Sequence, residues 1–188
     1  MVSKTRRGFL ATTAAAATGC IGGSDESLPQ PVALDTGKNC EVCGMVIRDH
    51  PGPVGQTYFR ENSPEGREEG EPARFCSTVC LFDYHYEKQQ QGWEPIVHYV
   101  TDYSSIEYEV IEKEGFVGGS LYISAHLSAE DQAKGEDTTL VIDSDAMGAM
   151  GPSLIPFTNR DDATAFQDEY GGDVVPFGEV TEGLVDSL

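Results

Sequence analysis

Positive charge is scarce in this 188-residue chain: 12 Lys and Arg stand against 32 Asp and Glu, for a formal charge of −20. Three of the twelve, Lys4, Arg6 and Arg7, precede Cys20, so the remainder is more acidic still. Such a surface repels phosphate backbones and excludes nucleic acid as a partner. Long apolar runs are also missing. The one continuous stretch, Gly8 to Ala17, is shorter than the ~20 residues a bilayer span needs, which excludes a polytopic membrane protein. The four histidines, His50, His85, His98 and His126, have no HxH or HxxxH spacing, and no Walker, Rossmann, zinc-protease or Ser/His/Asp pattern is present. The chain therefore reads as a non-enzyme. Its acidic excess reads as a solvated coat of the kind salt-adapted organisms use, with an acidic docking face as the alternative.

What is present begins with an address. Thr5-Arg6-Arg7-Gly8-Phe9-Leu10 leads into a mild Ala/Thr run and then Gly19-Cys20, a pattern that resembles a twin-arginine export signal ending in a lipobox. Residues 1–19 are thus expected to be the signal. Cys20 is expected to carry the lipid, anchoring the protein at the outer face of the cytoplasmic membrane. Residues 20–37, rich in Gly, Ser, Asp and Pro and without helical or strand period, read as a tether.

The body is expected to be α+β and to consist of two similar strand-strand-helix-strand units, residues 38–112 and 113–188. In the first, β-prone runs occur at residues 45–47, 56–59 and 73–75. A helix capped by Ser77 and stopped at Gly92 follows, with Val79, Leu81, Phe82 and Tyr86 as its buried stripe. A strand over Glu94 to Thr101 closes the unit. The second unit repeats the outline: strands over Phe116 to Ala125 and Thr138 to Ile142, a loop, a helix over Arg160 to Tyr170 capped by Thr158 or Asn159, and a strand over Asp173 to Val180. The acidic insert Glu61 to Pro72 reads as a solvated loop, and Trp93 as a packing anchor.

Four cysteines remain beyond Cys20, in the pairs Cys40/Cys43 and Cys76/Cys80. CxxC followed by Gly44 makes a knuckle, and Cys76 and Cys80 lie one turn apart at a helix start. Position at a helix N-terminus predicts that Cys76 ionises readily. The pairs are open to three readings: a soft four-sulfur metal site, a structural zinc site, or two short disulfides. Methionine adds to the first. Met45 follows the knuckle, and Met147 and Met150 sit in a glycine-rich loop. Thioethers favour Cu(I) over Zn(II).

With Cys40-x-x-Cys43-Gly44-Met45, Phe75-Cys76 to Cys80, Phe116-Val117-x-Gly119-Ser120, Met150-Gly151-Pro152, Pro156-Phe157 and Gly171-Gly172-x-Val174, the chain resembles the NosL family. The first half also resembles the TRASH/YHS metal-binding module, although its spacer from Cys43 to Cys76 is longer. The NosL resemblance implies an exported copper-binding lipoprotein that assists assembly of the copper centres of nitrous-oxide reductase. It implies as metal ligands Cys43, Met45, Cys76, Cys80 and Met150, with Cys40 and Met147 as further candidates. It also implies two partners, a copper donor and the copper-dependent reductase. Three functions are thereby set against each other: a Cu(I) metallochaperone, a Zn(II)-stabilised interaction module, and an organomercurial lyase-like enzyme. The last lacks an acid placed with the thiols. His85 and His98 read as surface or core residues, with completion of a copper site as the alternative.

Overall fold

The computed structural model describes residues 28–113 and 119–188. The expected signal with Arg6, Arg7 and Cys20, and Phe116-Val117, lie outside the described residues.

The first unit is built around strand β1 (Gly55–Arg60), whose residues are buried except at Arg60. It pairs antiparallel with β2 (Ala73–Phe75) on one side and β3 (Glu94–Thr101) on the other, and β6 (Gln132–Lys134) adds to the far edge of β3. Helix α1 (Thr78–Gln90) connects β2 to β3. It starts where the sequence predicts, because the Ser77 hydroxyl accepts from Cys80 N at 3.1 Å and satisfies one orphan donor of the first turn. Its buried face differs in detail from the expected stripe: Leu81 and Phe82 are buried together with Thr78, Cys80 and Tyr84, while Val79 and Tyr86 are partly exposed.

The second unit has the same connectivity. Strand β7 (Thr139–Ile142) lies between β9 (Leu154–Phe157) and β10 (Asp173–Pro176), antiparallel to both, and α2 (Arg160–Tyr170) links β9 to β10. Asn159 rather than Thr158 caps α2, accepting from Asp161 N at 3.0 Å. In each unit, then, the first strand is central and the helix carries the chain across to its other side. A third sheet, β4 (Val110–Lys113), β5 (Ser120–Ile123) and β8 (Ala146–Met147), has β8 parallel to β5.

The alternation of β7 and β9 ties the units together. Leu140, Ile142 and Leu154 join the cluster formed by Phe75, Leu81, Phe82 and Leu34, whereas Val141, Ile155 and Phe157 face Ala163 and Phe166 of α2. The second sheet is therefore buried on both faces, one against α1 and the other against α2. Two polar links reinforce this. Thr78 Oγ1 donates to Leu154 O at 2.6 Å, and buried Asp102 accepts from Thr158 N and Oγ1 at 2.9 and 2.8 Å.

Several expectations are corrected. Residues 45–47 form no strand: Val46 makes a single bridge to Asn39, and Ile47–Asp49 is a 3-10 turn. Leu154–Phe157, expected as loop, is a strand; Pro156 is tolerated because β9 lies at the sheet edge. The last strand stops at Pro176 and is followed by the 3-10 turn Phe177–Glu179 and α3 (Glu182–Val185). Within the segment read as a tether, residues 28–34 are held on the first sheet. Tyr58 and Tyr99 donate to the Gln30 and Pro29 carbonyls at 2.7 and 2.8 Å, and the Gln56 amide pairs with both N and O of Val32. Those partners come from distant strands, so local composition could not reveal them. The acidic insert is likewise tied down, by a 2.6 Å ion pair from Arg67 to Glu41.

Candidate metal centre

The knuckle is shaped by its backbone. Cys40 N donates to Met45 O at 2.9 Å and Gly44 N to Cys40 O at 3.0 Å, with Gly44 at φ +73°. Only glycine takes that conformation without steric cost. Glu41 N then donates to Arg74 O at 2.9 Å, which lays the knuckle along the end of β2. The next residues of that strand end are Phe75 and Cys76, so the two cysteine pairs meet. The sulfurs of Cys40, Cys43, Cys76 and Cys80 all lie within 4.8 Å of one another. Cys43 and Cys76 are 3.4 Å apart and Cys76 and Cys80 4.0 Å. Four thiolates around one ion at metal–sulfur distances of about 2.3 Å stand roughly 3.8 Å apart. The donor set fits a thiophilic ion with sulfur shifts of no more than about 1 Å, and all four cysteines are free thiols rather than disulfides.

Exposure is uneven across the cluster. Cys40, Cys76 and Cys80 are at most 3% exposed, whereas Cys43 is only half-buried. Its neighbour Val42, 45% exposed, extends this open edge.

Ionisation of the thiols does not follow the sequence argument. Cys40 is held well below the ordinary thiol range, first by hydrogen bonds from the Cys76 and Cys80 side chains, against the opposing effect of burial. Cys76 and Cys80 are pushed up, chiefly because the same hydrogen bonds make them donors to Cys40. Hydrogen bonds to the neighbouring sulfurs, together with burial, thus oppose ionisation of Cys76, although it precedes a helix.

The methionines are arranged differently from the thiols. The side chain of Met45 packs against the main core cluster. Met147 ends β8, opposite Tyr122, and Met150 lies 46% exposed on a turn closed by the Gly148–Gly151 bridge. That turn abuts the first unit, because Gly148 lies against Gly52. It also leads directly to Ser153 and Leu154, which contact Thr78 in the first turn of α1. The tertiary fold thus brings the methionine turn to the helix end that carries Cys76 and Cys80, with Met150 outside the buried sulfur cluster.

Fold and site together define a class: an α+β protein of two related units, the first of which carries a largely buried cluster of four thiols at metal-ligand spacing. The chain belongs to the NosL family, whose sequence model matches residues 31–185. It is 29% identical over 171 residues to the copper-binding lipoprotein NosL of Stutzerimonas stutzeri, covering 89% of this chain and 75% of that one. It is 27% identical over 145 residues to the copper-binding lipoprotein NosL of Achromobacter cycloclastes, covering 76% of this chain and 63% of the other. Among solved structures, the copper chaperone NosL from Shewanella denitrificans matches with a TM-score of 0.65 and 27% identity, over 82% of this chain and 97% of that one.

Proposed function

We propose that this protein is a Cu(I) metallochaperone, not an enzyme. In this reading it is exported and held by a lipid on Cys20, and it delivers copper to a copper-dependent reductase, nitrous-oxide reductase in the first instance. The observation that carries the reading is the asymmetric tetrathiol cluster. Three buried sulfurs would retain the ion, and the half-exposed Cys43 offers the edge where an incoming ligand can attack. Transfer then proceeds by ligand exchange: a partner sulfur adds at the Cys43 edge, and the chain's own ligands leave in turn. Met45 and Met150 are assigned as neutral thioether ligands that accompany this exchange, with Met147 as a further candidate. Similarity to proteins named as copper-binding lipoproteins and a copper chaperone supports copper as the cargo.

A second reading has one observation in its favour. Four cysteines at near-tetrahedral spacing can also close around Zn(II) as a structural knuckle. Methionine separates the two. Met150→Leu keeps volume and polarity at an exposed turn, so stability should change by less than about 1.5 kcal/mol. In the chaperone reading, Cu(I) competition against a chelator should nevertheless show weaker retention, with Met147→Leu as the comparison. Unchanged Cu(I) affinity and coordination in both variants would assign the cluster to structural zinc.

The anchoring part is tested in cells. Cys20→Ser should move the protein from the membrane fraction to the soluble extracytoplasmic one. Wild-type fractionation of that variant would remove the lipid anchor from the proposal.

A further inference from the structure

Two buried side-chain nitrogens among the described residues have no hydrogen-bond partner, Arg74 Nε and His85 Nδ1. Arg74 is otherwise engaged, since its Nη2 pairs with Glu71 at 2.8 Å. His85 has no such explanation. A buried, unpaired ring nitrogen is destabilising and commonly marks a site for a water or an ion.

His85 stands on α1 opposite His98 of β3, with ring centroids 4.9 Å apart and planes at 78°. Tyr86 and Phe177 close around the pair, at 5.1 Å from His85 and 5.6 Å from His98. His98 Nδ1 is 2.9 Å from Thr57 Oγ1, its register partner on β1. In the tautomer whose Nδ1–H donates to that hydroxyl, the lone pair of His98 lies on Nε2. This is the arrangement of a metal-binding histidine, one nitrogen oriented by a hydrogen bond and the other free. Two imidazoles sharing one ion through metal–nitrogen bonds of about 2 Å have centroids roughly 5 Å apart at a tetrahedral angle and roughly 6 Å apart when collinear, so 4.9 Å matches a bent pair, and a collinear one needs the rings to open by about 1 Å.

The charge of the ion follows from the surroundings. Burial lowers the pKa of His85, and burial together with His85 holds His98 down at about 3. Both rings are neutral at pH 7, no proton must be displaced, and neither feels a carboxylate. A divalent ion here would keep its full charge uncompensated and lack further ligands. A monovalent soft-to-borderline ion is satisfied by few neutral donors and suits imidazole.

We infer that His85 and His98 form a second Cu(I) site, bound through ring nitrogen and separate from the thiol cluster. His85 lies five residues beyond Cys80 on α1, a rise of roughly 7.5 Å along the helix axis, so the same helix carries both sites. The pair is a holding position for copper before or after the thiols.

The test is anaerobic titration of the 15N-histidine-labelled chain with Cu(I) alone, followed by NMR. Once the thiols are saturated, a further equivalent should move the ring resonances of His85 and His98 together, leaving His50 and His126 in place. His85→Gln should abolish the response of His98 and lower the bound copper by one equivalent. If that variant does not fold, Thr57→Val, which removes only the orienting hydroxyl, should weaken the second equivalent by about 10- to 100-fold. In Cys76→Ser the histidine response should persist, which separates this site from the fate of the thiol reading. The inference is overturned if the rings do not respond to Cu(I), if the second equivalent binds equally well without His85, or if Zn(II) occupies the pair and Cu(I) does not.

Discussion

Cys76→Ser should lower Cu(I) affinity by more than the 10- to 100-fold expected of a residue that only orients a ligand. Cys76 is the hub of the cluster: its sulfur lies 3.4 Å from Cys43, 4.0 Å from Cys80 and within 4.8 Å of Cys40. Serine keeps the hydrogen bond but replaces a soft thiolate with a hard, neutral oxygen, which Cu(I) discriminates against. The apo fold should be retained, because the exchange is nearly isosteric and the hydroxyl keeps its acceptor. Competition against a Cu(I) chelator under reducing conditions measures the affinity, and circular dichroism the fold. A folded Cys76→Ser protein with wild-type Cu(I) affinity would eliminate the cluster as the copper site.

The largest purely structural effect is expected at Gly52→Val. Gly52 has φ +98°, and a Cβ there would stand 2.5 Å from Gly148 Cα, backbone against backbone. Neither side can yield by rotating a side chain. The left-handed conformation costs about 1–2 kcal/mol and overpacking about 1–3 more, so destabilisation of about 3 kcal/mol is expected. At this chain length that lowers the melting temperature by roughly 6–12 °C. Gly92→Ala is the control: its φ is +81°, but nothing lies within 4 Å of a Cβ, so only the backbone cost of about 1–2 kcal/mol applies. Equal melting temperatures for the two variants would mean that the methionine turn is not seated on the first unit in solution. If the turn takes part in copper retention, Gly52→Val should weaken Cu(I) binding as well.

The two long helices were legible because their signals are local. Ser77 and Asn159 cap them, Gly92 and Gly171 stand at their ends, and their apolar residues recur at helical spacing. Of the third sheet only β5 was legible, inside the strand expected over Phe116 to Ala125, and the structure places it in this sheet rather than in the second unit's. Strands β4, β5 and β8 are two to four residues long, and β8 pairs in parallel with a strand some 25 residues earlier. Strand β9 was hidden by Pro156, which reads as a breaker until the strand is known to lie at an edge. His85 and His98 could be named from the sequence, but their pairing depends on how α1 crosses β3.

The amino-acid sequence by itself determined the class of structure, the two-unit outline, the family, and the cysteines and methionines that could serve as soft ligands. These depend on residue identity and on spacing over a few positions, which short-range sterics and capping translate directly into geometry. Only the tertiary structure decided that the four thiols form one cluster, in which neighbouring sulfurs and burial oppose ionisation of Cys76. It alone placed Met150 at the surface on a turn seated against the first unit, and bound residues 28–34 to the first sheet. Each of these rests on contacts between segments tens of residues apart, and the energy of such a contact depends on burial and on atoms a few ångströms away. Neither quantity exists until the chain has folded.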